Sequence, residues 1–520
     1  MATAADFPVS DSVDLADLGY RQELHRSLGA FASFAAGFSF VSILTTVFQL
    51  FAFGFAFGGP AFVWTWPIVF CGQFSVALVF AELSSRYPIS GSIYQWSRRI
   101  STEFLGWFAG WFMMIGYIVS VSAIAIALQV VLPSVWTGFQ LIHGSSALTS
   151  SSGAANAIVI GSIVIIVSTV IGNIGVGIMS RITRIGVSCE IVGVVLLIAL
   201  FFSHAKRGPS AALLHTNGVA GHGSYLWPFL ISALMACYVM YGFDSAGELS
   251  EETNNPRVTA PRGILRAMLV SGVGGALLLV GALLAAPSLL APQLGTEGLA
   301  YVISSRLGTG LGKVLLVDVA IAILSAALAI QASASRVMFS MARDGRLPFS
   351  RRLAHVSDKR GTPAAPNIVV GLLAIALLVV NLGQAALFTD ITGVAVVVVY
   401  LAYLGVTVPR LVDRLRPGFA GRERQATDTT QFSLGRLGLP VNIIAVLFGG
   451  FFLIDIGWPR AVVYGQSWYL QYFSPIFAAG CAIVGIACYI RIKRREGTAL
   501  AAELASAAPA ATATGDIPAV

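Results

Sequence analysis

Apolar runs, each about as long as a membrane-crossing helix, fill most of the chain and are separated by short basic loops. A spanning helix needs about 20 apolar residues. From Ser27 to Ala81 there are 55 positions without a charged residue, room for two helices with a turn near Gly58-Gly59-Pro60. From Phe104 to Ser180 there are 77 more, again two helices, divided by a Ser/Gly-rich stretch near 132–154. Further runs lie near 185–204, 227–250, 265–289, 311–337, 366–382, 386–409, 438–456 and 468–490. The pattern predicts an all-α integral membrane protein with twelve transmembrane helices.

Composition and charge sharpen this picture. Of the 520 residues 56% are hydrophobic and 11% charged, with a mean hydropathy of +0.81. Soluble domains carry charge at roughly 25% of positions, so a water-soluble enzyme is excluded. The net charge of +8 raises nucleic-acid binding, but the positions of the basic residues answer it. With the N-terminus inside and the spans alternating, 27 of the 32 Lys and Arg residues fall in inner segments. That excess is the orientation signal of a membrane protein. Both termini are therefore expected in the cytoplasm, in a multi-pass protein of the cytoplasmic membrane, with no nucleic-acid partner. The five cysteines lie in apolar runs without metal-ligand spacing, so neither a zinc site nor a disulfide framework is indicated. The acidic first 26 residues are not a cleavable signal. Residues 1–26 read as a cytoplasmic tail ending in a short amphipathic helix, LGYRQELHRSLG, and 491–520 as a disordered tail.

Two spans have centres that form helix poorly. The first reads Gly37-Phe38-Ser39-Phe40-Val41-Ser42-Ile43, the sixth Tyr241-Gly242-Phe243-Asp244-Ser245-Ala246-Gly247-Glu248. Glycine weakens a helix and Ser side chains compete for its backbone partners. These spans open two successive groups of five, over 27–204 and 227–409, with two further helices over 438–490. Transporters built from two inverted five-helix repeats break their helices at such corresponding positions and hold substrate between the breaks. The alternative is that Gly37 and Gly242 merely allow close helix packing.

Three stretches carry a resemblance. Gly242-Phe243-Asp244, then Ser250-Glu251-Glu252-Thr253-Asn254-Asn255-Pro256-Arg257 and Pro261-Arg262, is similar to the sixth helix and following loop of the amino acid–polyamine–organocation superfamily. Ser335 to Pro348, with Thr362-Pro363 beyond, is similar to its signature after helix 8. Leu18 to Leu24, Phe38 to Ile43, Ala56 to Pro60, Phe80-Ala81-Glu82-Leu83 and Gly91-Ser92-Ile93-Tyr94 resemble its amino acid/choline transporter family. The resemblance implies the LeuT-like fold of two inverted five-helix repeats plus two C-terminal helices. It also implies a permease for an amino acid, γ-aminobutyrate, a polyamine or a choline-like amine. One departure is that Phe38 to Ile43 holds Ser39 and Ser42 where many such permeases have a Gly-Ser-Gly turn.

The expected substrate site is then Ser39, Val41, Ser42, Ile43, Tyr241, Gly242, Phe243 and Asp244. Asp244 reads either as a partner for a substrate amine or as a cap on the second half-helix. Phe243 reads as an aromatic gate or as packing against helix 10. Glu251, Glu252, Arg257 and Arg262 read as structural, a solvated inner loop that can form ion pairs in one transporter state. Glu190, an intramembrane acid, is a proton-coupling candidate by default, against a salt bridge to Arg184 or snorkelling. Asp318 reads as paired with Lys313 or hydrated. No HExxH and no phosphate-cradling loop is present, so no catalytic residue, resident metal or cofactor is expected. Coupling to H+ leads, with Na+ near Ser333 and Ser335 or substrate antiport as alternatives. A channel or receptor is the reading from a different class.

Overall fold

The computed structural model describes residues 15–148, 150–356, 361–380, 387–419 and 431–507. The remaining parts of the expected tails, 1–14 and 508–520, lie outside the described residues. The first apolar run forms α1 (Ala30–Val41) and α2 (Ile43–Gly58), followed by α3 (Thr65–Arg86). A short α4 (Ser92–Ile100) leads to the long α5 (Glu103–Val135), then α6 (Ser151–Ile174) and α7 (Val176–Ser203). The second half holds α8 (Leu226–Val239), the short α9 (Ser245–Glu248), α10 (Pro256–Ala285) and α11 (Leu299–Arg343). The chain closes with α12 (Ala364–Val380), α13 (Leu387–Leu415), α14 (Gly438–Gly457) and α15 (Phe473–Ala507). Among the described residues, ten segments are long and apolar enough to cross a membrane. The shorter apolar helices α8 and α12 stand at the sixth and ninth predicted spans.

The interior is built on small residues that let helices approach closely. α5 runs against α11 and α13 through the centre, and an added Cβ on Gly116 would meet Val399 at 2.6 Å. α3 and α10 meet where the Trp66 indole donates to the Gly272 carbonyl (2.8 Å), its ring lying over Gly275. By contrast α14 and α15 leave residues such as Leu447, Ile454, Ile483 and Val484 exposed, as lipid-facing helices do.

Two expectations fail at the ends. Residues 20–29 are an irregular strap, not an amphipathic helix. The Gln22 amide donates to the Leu24 and Glu251 carbonyls. The Ser27 and Leu28 N–H groups donate to the Glu252 carbonyl at 3.0 and 2.9 Å, and Asn254 N–H returns to Leu28 O. Backbone partners thus come from the loop after α9 instead of from the segment itself, and Leu24 and Leu28 are buried there. At the other end, α15 continues to Ala507 where a disordered tail is expected from 491. The run TALAAELASA is rich in strong helix formers and prolongs the span.

Candidate functional site

The first span breaks at a single residue. Ser42 separates α1 from α2 with φ 37 and ψ 75, a left-handed conformation uncommon for a residue with a Cβ. The Thr46 hydroxyl crosses the break, donating to the carbonyls of Val41 (3.0 Å) and Ser42 (2.9 Å). The new helix N-terminus points at a carboxylate of the protein itself. Glu190 Oε1 accepts from Ser42 Oγ at 2.9 Å and from the Leu44 N–H at 3.2 Å. One orphan N–H of the helix start and the Ser42 hydroxyl therefore meet an acid supplied by α7. Glu190 is fully buried, and its second oxygen Oε2 has no partner among the described residues. It neither pairs with Arg184 nor snorkels to the inner surface. Ser39, one turn before the break, is also fully buried, its hydroxyl without a partner among the described residues. Val41 and Ile43 flank the break in the core.

The sixth span breaks more widely. α8 ends at Val239 and α9 begins at Ser245, and Gly242 between them has φ 91. A Cβ there would meet the Phe40 ring at 1.9 Å, so only glycine satisfies both the backbone and the neighbour. Phe40 is the contact between the two breaks, packing on Tyr117 and Tyr241 at 5.1 and 5.9 Å. Asp244 stands at the N-cap position of α9, without a side-chain hydrogen bond to that helix. Its carboxylate instead accepts from the hydroxyls of Tyr117 on α5 and Tyr403 on α13. Tyr403 also accepts from the Gly242 N–H at 2.9 Å. Phe243 is fully buried, its ring 5.7 Å from Tyr403 and 6.1 Å from Phe80. Tyr241 bonds the Ser120 hydroxyl at 2.9 Å.

Between the breaks and the basic face lies a layer of buried pairs. The Arg336 guanidinium donates to Glu252 (2.9 Å) and that of Arg343 to Glu251 (2.8 Å). Both glutamates are fully buried, so they are not solvated as expected, while the expected ion pairs are formed. Glu248 accepts from the Ser92 N–H and hydroxyl at 3.0 and 2.6 Å. The Tyr20 hydroxyl of the strap donates to Asp344 (2.9 Å), and Arg343 stacks on the Tyr20 ring at 4.1 Å. Burial pushes the Tyr20 phenol above its ordinary value, and the Asp344 carboxylate adds to that. Each acid here has a partner drawn from another element, which ties the strap, the loop after α9 and the end of α11 together.

All eight predicted site residues lie in the core around the two breaks, and Glu190 joins the first of them. Three participants escape a reading of the sequence: Tyr117, Tyr403 and Ser120. Their only signal is a polar tip in an otherwise apolar span. Asp318 is half-buried. It makes no ion pair with Lys313 among the described residues. Its carboxylate lies on Gly193 of α7, where a Cβ would meet Oδ2 at 1.7 Å. That places it one turn from Glu190, with Oδ2 buried and without a partner among the described residues.

Comparisons with known proteins agree with this architecture. The profile of a family described as amino acid permease matches residues 28–487. Amino-acid permease BAT1 of Arabidopsis thaliana is 26% identical, over 93% of this chain and 95% of its own. The methylthioribose transporter of Bacillus subtilis is 28% identical, over 72% of this chain and 82% of its own. The thiamine transporter thi9 of Schizosaccharomyces pombe is 24% identical, over 93% and 86% respectively.

Proposed function

Since the chain belongs to the amino acid permease family, we propose that it is a secondary carrier for a small amino acid or amine, coupled to protons through Glu190. In this reading it works in the cytoplasmic membrane by alternating access about the two breaks. The observation that carries the reading is the placement of one buried carboxylate at each break. Asp244, held by two tyrosine hydroxyls beside the aromatic rings of Phe40, Tyr117 and Tyr241, suits an ammonium group. Glu190 already occupies the donors at the start of α2 that would otherwise receive a substrate carboxylate.

This arrangement supplies a coupling rule. A proton on Glu190 removes its charge and weakens its hold on Ser42 and Leu44, since hydrogen bonds to an ionised acceptor are the stronger ones. A substrate carboxylate then competes for the same donors. Proton and substrate favour the same state, and by linkage each raises the affinity for the other. Against a sodium site, Arg336 donates to Ser335 Oγ (3.0 Å) and to the Ala332 carbonyl (3.3 Å). A fixed cation thus already holds part of the stretch where Na+ is the alternative.

Counterflow in proteoliposomes tests the carrier reading. The panel is γ-aminobutyrate, putrescine, choline and the common amino acids, and the relatives named for thiamine and methylthioribose widen it to those two. Accelerated exchange of at least one compound is expected. Flux without counterflow would identify a channel and end the proposal. Glu190→Gln is expected to lose pH-dependent accumulation while still exchanging labelled for unlabelled substrate. Accumulation with the wild-type pH profile would make Glu190 structural and leave antiport or another ion. Reporter fusions at Gly361 and Ala499 should both give cytoplasmic signals, and a signal from the opposite side would reverse the orientation.

A further inference from the structure

On the face that carries the basic loops, away from both helix breaks, α15 and the segment following α11 enclose a cavity of about 720 Å³. Four arginines line it: Arg351 and Arg352 from the short turn Ser350–Leu353, and Arg491 and Arg495 from α15. None of the four makes an ion pair among the described residues. The one acid in the wall, Glu496, is already engaged by Arg346 (2.5 Å) and Lys493 (3.3 Å). The buried arginines behind this face meet acids, as Arg336, Arg343 and Arg410 do. A general excess of basic residues on one side accounts for arginines here. It does not account for a concavity that collects four of them around no available carboxylate.

The floor of the cavity is apolar. Cys488 and Ile492 contribute from α15, where the exposed residues Ile483, Ile486 and Ile490 continue the same helix into the membrane. Phe349 stands at the rim, 77% exposed and held at φ 59, a backbone conformation that disfavours a Cβ. A large aromatic side chain placed in water at such a position fits a site at the membrane surface. The wall therefore grades from a lipid-facing helix to a ring of unpaired guanidinium groups, which are shaped to bind phosphate oxygens in pairs.

We propose that this cavity binds the headgroup of an anionic phospholipid of the adjoining leaflet, with the acyl chains lying along the exposed side of α15. Basic pockets beside spanning helices on the cytoplasmic side recognise such headgroups by charge. The proposal is independent of the substrate and of the coupling ion.

Purified full-length protein tests it, by native mass spectrometry and thermal stability in titrations with phosphatidylglycerol, phosphatidylcholine of the same chains, and glycerol 3-phosphate. Phosphatidylglycerol is expected to be retained and to raise the melting temperature, with phosphatidylcholine and glycerol 3-phosphate having little effect. Each arginine beside an anionic headgroup contributes a factor of about five. Replacing Arg351, Arg352, Arg491 and Arg495 together by Ala should therefore weaken selective retention more than about tenfold. Replacing Arg181, Arg184, Arg262 and Arg266, on the same face outside the cavity, should leave it intact. Undiminished retention in the cavity variant would overturn the proposal, as would equal loss in the control. Stabilisation by glycerol 3-phosphate equal to that by the lipid would identify a small-anion site and overturn the choice of occupant. If the fourfold variant does not fold, the pairs Arg351→Ala/Arg352→Ala and Arg491→Ala/Arg495→Ala serve separately, each with partial loss expected.

Discussion

The breaks in the first and sixth spans solve the same problem by opposite means. Each interrupts a helix inside the apolar core, and each must satisfy freed polar groups there. In the first, one residue is unwound and the acid comes from outside, Glu190 of α7 reaching the Ser42 hydroxyl and the Leu44 amide. In the sixth, five residues lie between the two helices and the acid, Asp244, belongs to the break itself. It is met by hydroxyls from α5 and α13. Glu190 keeps one oxygen without a partner among the described residues, whereas both Asp244 oxygens are bonded. The first break is thus the less completely satisfied and the easier to switch by a proton. The sixth is braced from both sides and better suited to hold a fixed charge.

If the sixth break is the braced one, damage there should be the most severe. Gly242→Ala combines a left-handed backbone, about 1–2 kcal/mol for a residue with a Cβ, with overpacking against Phe40, typically 1–3 kcal/mol. A loss of about 2–5 kcal/mol in stability and of transport is expected, read by thermal unfolding and uptake. Wild-type values in both assays would show that the break is pliable.

The tyrosines give a finer ordering. Tyr403 serves two groups, accepting from the Gly242 N–H and donating to Asp244. Tyr117 serves Asp244 alone among these groups. Leaving a buried polar group unpaired costs about 1–3 kcal/mol. Tyr403→Phe should therefore be destabilising by about twice as much as Tyr117→Phe, with both reducing uptake. The reverse order would mean that α5 and not α13 holds the break.

How far this contrast is visible in the sequence depends on the range of the contacts. The spans follow from apolar run lengths, and the two breaks from Gly242 and the Ser-rich stretch after Gly37, because each is a local property. Glu190 and Asp244 stand out because acids are rare inside a membrane. Their partners do not. Tyr117 and Tyr403 resemble any aromatic residue of an apolar span, and only the crossing of α5 and α13 over the break gives their hydroxyls a role. Asp318 reaches α7 because Gly193 lacks a side chain, a fact of helix crossing that no spacing encodes. The strap misleads for the same reason. LGYRQELHRSLG carries a helical pattern, but its backbone finds partners in a loop far along the chain. Glu251 and Glu252 read as solvated until Arg343 and Arg336 are placed beside them.

The smallest expected effect separates backbone strain from bonding at the first break. Ser42 holds a left-handed conformation and donates to Glu190. Ser42→Ala keeps the strain and loses the bond, whereas Ser42→Gly loses the bond and relaxes the strain. A lost hydrogen bond to a charged group is worth about 1.5–3 kcal/mol, and the left-handed conformation costs a non-glycine residue about 1–2 kcal/mol. Ser42→Gly should therefore be more stable than Ser42→Ala by about 1–2 kcal/mol, while still less stable than the wild type. Both variants deprive Glu190 of the same donor, so the pH dependence of accumulation should change to the same extent in each. Equal stability would mean that the backbone at Ser42 relaxes freely. A pH profile altered in one variant alone would mean that the unwound geometry, and not the bond to Glu190, couples the first break to the proton.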